Sequence, residues 1–111
     1  MAHFTLEYSP NMERVADIGV LCDVIRRSAI QTGIFALAGI RVRALRAEHV
    51  SIADGDPRHG FIDICIRLRA GRDLEDRKSA TAAIFKSAEE FLAPILKTHP
   101  IALSLEMRDI D

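Results

Sequence analysis

Apolar and polar residues alternate from the start of the chain. Phe4, Leu6 and Tyr8 fall on one face of an extended segment and His3, Thr5 and Glu7 on the other, so Met1–Ser9 reads as a strand. The period then changes. After Asp17, a residue suited to capping a helix, Ile18, Leu21, Cys22, Ile25 and Ala29 recur at helical spacing, and Gly33 supplies a left-handed stop. Residues 40–46 return to alternation, with Ile40, Val42 and Ala44 opposite Arg41 and Arg43. The run Ala53-Asp54-Gly55-Asp56-Pro57 is turn chemistry. Beyond it lies the clearest strand, where Ile62, Ile64, Ile66 and Leu68 alternate with Phe61, Asp63, Cys65, Arg67 and Arg69. A second helix is expected after Asp73, with acidic Glu75 and Asp76 in its first turn. Its apolar stripe is Leu74, the stem of Arg77, Ala80, Ile84, Ala88, Phe91, Leu92 and Ile95, and Pro94 should kink or end it. Ile101, Leu103, Leu105 and Met107 mark a last strand.

The order strand, helix, strand therefore occurs twice, in halves of about 2–53 and 60–109. It predicts a single α/β (α+β) domain over residues 1–111, built from two fused βαβ units. Each unit is a parallel pair with a right-handed crossover, and both helices cover one face of a four-stranded mixed sheet. The other face would carry Thr5, Glu7, Arg41, Arg43, Asp63, Cys65, Arg67, Ser104 and Glu106, a polar surface that is either solvated or lines a wet channel. The segment Gly33–Gly39 is unusual for a loop because it holds Ile34, Phe35 and Leu37. It either folds back over its own core or is covered by another subunit or a ligand.

Net charge is −1, which gives no pull toward nucleic acid or an anionic membrane. No apolar run approaches the ~20 residues of a membrane span, and no basic-then-apolar leader is seen, so a cytoplasmic protein is expected. Cys22 and Cys65 read as small core residues. The histidines, His3, His49, His59 and His99, have no metal-ligand spacing, so no metal site is expected. Dinucleotide, phosphate-loop and nucleophile-elbow motifs are absent.

Two features remain as candidate chemistry. A strand at the amino end places a terminal amine on the rim of the sheet, and an ordinary α-amine titrates at about 7.7–8.0, within reach of a base role near neutral pH. Arg41 and Arg43 share a strand face, and Arg72 precedes a helix whose N-terminus favours anions. A guanidinium grips a carboxylate with two parallel hydrogen bonds. An amine base with arginines suits an anionic enol acid, the amine moving the proton and the arginines holding carboxylates.

Several stretches resemble one family in the order they occur: Ala2-His3-Phe4-Thr5-Leu6-Glu7-Tyr8-Ser9, the block from Thr32 through Gly33-Ile34-Phe35-Ala36-Leu37-Ala38-Gly39-Ile40-Arg41-Val42-Arg43, Ala53-Asp54-Gly55-Asp56, Ala70-Gly71-Arg72-Asp73-Leu74-Glu75, and Ala102-Leu103-Ser104-Leu105-Glu106. They are similar to 5-carboxymethyl-2-hydroxymuconate isomerase, of the tautomerase superfamily. The resemblance implies a tautomerase-like homotrimer, with sheets inside and helices outside. It implies cofactor-independent ketonisation of 5-carboxymethyl-2-hydroxymuconate, or a similar 2-hydroxy dienoic polyacid, in homoprotocatechuate breakdown. The partner implied is thus a small polycarboxylate. By the same resemblance Arg41 and Arg72 bind substrate and Phe35 belongs to an apolar wall. The family's base is an amino-terminal proline; Ala2 stands in its place here and would offer a primary amine once Met1 is removed. A second reading follows from that departure: a trimer of the same fold that binds a small anionic metabolite without turning it over.

Overall fold

The computed structural model describes residues 1–110. Its strands are β1 (Ala2–Tyr8), β2 (Ile40–Arg46), β3 (Gly60–Arg69) and β4 (Ile101–Ile110), and its helices are α1 (Ile18–Thr32) and α2 (Leu74–Thr98). Sheet order is β2-β1-β3-β4. β1 runs parallel to β2 and β3 parallel to β4, as two βαβ units require, and the halves join through the antiparallel pair β1–β3.

Burial explains why this order is stable. Phe4, Leu6, Ile62, Ile64, Ile66 and Leu68 are essentially inaccessible on the two central strands. They meet Leu21, Ile25 and Ala29 of α1 and Ala80, Ile84, Ala88 and Leu92 of α2 in one hydrophobic cluster. Each large side chain so buried contributes about 1.5–3 kcal/mol, and the central strands carry the longest uninterrupted set. The helix ends follow the expected chemistry. Asp17 accepts a hydrogen bond from the Val20 amide at 3.1 Å, and Gly33 closes α1 with φ of 74°. Asp73 accepts from the Glu75 amide at 3.3 Å.

Four details depart from the sequence reading. Pro94 does not end α2, which continues to Thr98. The proline is exposed, so the one amide it lacks is missing on the solvent side, where water can serve the freed carbonyl. Leu74 is not part of the buried stripe, being 59% exposed. It lines a shallow surface groove beside Leu105 and Met107 of β4 instead. Cys65 lies on the open sheet face, half-buried, where desolvation pushes its thiol above the usual range; Cys22 does pack against the core. Finally, Pro10–Arg14 forms a short 3-10 helix that inserts Met12 into the core.

Candidate active site

Ala2 opens β1 with only 4% of its surface exposed, between Ile40 of β2 and Leu68 of β3. Its nitrogen faces Gly39. A Cβ built on Gly39 would stand 3.3 Å from the Met1 Cα and 3.7 Å from the Ala2 nitrogen, so the absence of a side chain there lets the backbone approach the amino end. The loop from Gly33 to Gly39 touches each candidate residue: it holds Phe35, lies by the Ala2 nitrogen at Gly39, and accepts hydrogen bonds from Arg41 and Arg72.

Phe35 anchors that loop. Its ring meets Phe4 edge to face at 5.2 Å between centroids, and it is 8% exposed. The two options left open by the sequence are thereby divided within one loop: Phe35 folds over its own subunit's core, whereas Leu37 stays 69% exposed. Arg41 donates from Nη1 to the Gly39 carbonyl at 3.2 Å and approaches that of Ala38 at 3.5 Å. Arg72 reaches the same loop from the other half of the chain, donating from Nε to the Ile34 carbonyl at 2.9 Å and from Nη1 to the Arg69 carbonyl at 3.2 Å. A guanidinium has five N–H donors, so both arginines keep free donors beyond these backbone contacts. Arg72 therefore turns to the loop as well as standing ahead of α2.

His3, adjacent to Ala2, was visible in the sequence only as a polar strand position. Its Nδ1 accepts from Arg43 Nη2 at 2.8 Å. Desolvation lowers its pKa, with the charges of Arg43, Arg67 and Arg41 acting in the same sense. Both influences favour the neutral ring beside the amino end. The loop carbonyls of Ile34 and Gly39, which hold the arginines, carry no sequence signal at all.

A concavity away from these residues is differently furnished. A cleft of about 570 Å³ between the 3-10 helix and residues 50–59 lies at the far end of β1. Most of the charges around it are paired, Arg46 with Glu13, Arg58 with Asp56 and His59 with Asp54, each at 2.7 Å, whereas Arg14 in its lining is in no ion pair among the described residues. Among the described residues no cluster of His, Cys, Asp and Glu has the form of a metal site, and no helix is long and apolar enough to cross a membrane.

Comparison with known proteins agrees with this architecture along the whole chain. The family model for 5-carboxymethyl-2-hydroxymuconate isomerase matches residues 2–111. The 5-carboxymethyl-2-hydroxymuconate Delta-isomerase of Escherichia coli is 32% identical over 110 residues, covering 99% of this chain and 87% of that one. A solved 5-carboxymethyl-2-hydroxymuconate isomerase from Deinococcus radiodurans R1 is 28% identical, with a TM-score of 0.91 over 99% of this chain and 83% of that one. A fused 4-OT solved as a symmetric trimer shares the tautomerase fold at 21% identity, with a TM-score of 0.65 over 97% and 86% of the two chains. With the match running from Ala2 to the last residue and the same fold in a solved member, the chain belongs to the 5-carboxymethyl-2-hydroxymuconate isomerase family.

Proposed function

We propose that this protein is a cofactor-independent isomerase that ketonises 5-carboxymethyl-2-hydroxymuconate or a closely similar 2-hydroxy dienoic polyacid, using the Ala2 amine exposed by loss of Met1. The observation that carries this reading is the shared loop: Arg41 and Arg72 both hydrogen-bond the segment that lies against the Ala2 nitrogen. In the reaction the amine takes the proton of the 2-hydroxyl group and a proton returns to a distant carbon of the conjugated chain, so substrate and product are isomers. Arg41 and Arg72 hold carboxylates and disperse the charge of the dienolate. Phe35 contributes apolar support from beneath the loop rather than a freely exposed wall.

The test is kinetic. Protein shown by intact mass to lack Met1 should accelerate ketonisation, whereas protein that retains Met1, whose Ala2 nitrogen is an amide, should not. In the same assay Arg72→Ala should lower kcat/KM by about 10- to 100-fold, the equivalent of one charge-assisted hydrogen bond of about 1.5–3 kcal/mol. Equal rates with and without Met1 would remove the amine from the mechanism.

The assembly belongs to the same reading. Leu37 is exposed on the loop beside the amino end, and a relative in fold, the fused 4-OT, is a symmetric trimer. A homotrimer whose interface includes residues 34–37 is expected, and light scattering at micromolar concentration should return three times the 12.3 kDa chain mass. A monomer at that concentration would exclude it.

A further inference from the structure

The open face of the sheet is segregated by charge. One row across all four strands reads Arg41, His3, Arg67, Arg108; the next reads Arg43, Thr5, Cys65, Glu106; the third reads Leu45, Glu7, Asp63, Ser104. Neighbouring strands lie about 4.8 Å apart, so the first row sets cationic side chains close together, and like charges at such positions destabilise a sheet. Arg108 is relieved by Glu106 at 2.7 Å. Among the described residues no ion pair includes Arg41, Arg43, Arg67 or Arg69. Ion pairs could have been interleaved here, since Glu7 and Asp63 lie only two rows away, but Asp63 is engaged instead by the Ser104 hydroxyl at 2.8 Å.

His3 sits at the centre of this patch, directly opposite Arg41 on one side and Arg67 on the other. Its contact with Arg43 fixes the tautomer. A guanidinium has no acceptor, so Nδ1 must offer its lone pair and the ring proton resides on Nε2. His3, Arg43 and Arg67 then present donors, with no acceptor left among them. Arg43 and Arg67 are exposed and His3 is half-buried between them.

We infer that His3, Arg43 and Arg67 form an oxyanion site on the open sheet face, beside but separate from the Ala2 site, that takes a carboxylate or phosphate group. Two sources share this chemistry. One is a third carboxylate of the same substrate that Arg41 and Arg72 hold by two others, since 5-carboxymethyl-2-hydroxymuconate carries three; this source rests on the proposed isomerase reading. The other is a free multivalent anion, and this source is independent of that reading.

Calorimetric titration at constant ionic strength tests the site with two probes, inorganic phosphate and propane-1,2,3-tricarboxylate. Saturable binding of at least one is expected. Arg67→Gln and Arg43→Gln should each weaken it about tenfold or more, as loss of a charge-assisted bond implies. Arg26→Gln, on α1 and paired with Asp23, should leave it unchanged. Both test residues are exposed, and circular dichroism with thermal melting verifies that the variants fold. Arg72→Ala distinguishes the sources. A fall in tricarboxylate affinity with phosphate affinity unaltered means that one molecule spans both sites, and no change with either probe means a free anion. Absence of saturable binding, or binding indifferent to Arg67 and Arg43, overturns the site. Turnover is not measured, so failure of the isomerase reading and failure of this one are separate results.

Discussion

Ala2→Pro, in protein from which Met1 has been removed, is expected to raise ketonisation of a 2-hydroxymuconate-type substrate by about tenfold or more. A primary amine rotates about its N–Cα bond and must be ordered before each proton transfer, whereas the pyrrolidine ring fixes that rotation. Fixing backbone freedom is worth about 1–2 kcal/mol per residue, which alone corresponds to roughly a tenfold change. The ring has room. Its Cδ takes the place of a hydrogen on the Ala2 nitrogen, and Gly39 presents no Cβ against that nitrogen. Proline is also acceptable as the first residue of a strand. A well-placed general base contributes about 10²–10⁴-fold in total, so the gain measures how much of that contribution the primary amine already supplies. A processed variant that stays at the uncatalysed rate would favour the second reading, binding without turnover.

Phe35→Ala should cost about 3–5 kcal/mol of stability, the range for removing a buried aromatic ring. The ring is 8% exposed and its edge-to-face contact with Phe4 cannot be replaced by a smaller side chain. The effect should extend beyond stability. The loop it anchors supplies the carbonyls that hold Arg41 and Arg72, so affinity for enol acids should fall along with the denaturation midpoint. Phe35→Leu, which refills most of the volume, should recover a large part of both. A loss below about 1 kcal/mol for Phe35→Ala would show that the loop is held by other contacts.

All six main elements are legible in the sequence because each has a clean period and a local stop. The alternation of Ile62, Ile64, Ile66 and Leu68 fixes β3, and Asp17 and Gly33 bracket α1 through chemistry confined to a few residues. What escaped depends on partners remote in the chain. Met12 is a single apolar residue in a polar stretch, and nothing periodic marks its burial. Arg72 gains its position from a carbonyl 38 residues away, and every residue has a carbonyl. The burial of Phe35 is decided by Phe4, which only the assembled sheet sets opposite it. The site residues were therefore individually visible, while the loop that unites them was visible only as an oddity of composition.

The two halves of the sheet start in the same way: Ala2 pairs with Ile40 at the head of one parallel pair, and Gly60 pairs with Ile101 at the head of the other. Chemically these two starting points are not equal. The nitrogen of Gly60 lies inside a continuous chain and donates to the Pro100 carbonyl at 3.1 Å, so it is an amide engaged in structure. Covalent continuity thus silences one of two quasi-equivalent strand ends, and each polypeptide can offer a single free amino terminus. Stoichiometry follows from connectivity: the ratio of free amino ends to βαβ units is one to two, and a cut in the segment between β2 and β3 that left Gly60 first would restore parity.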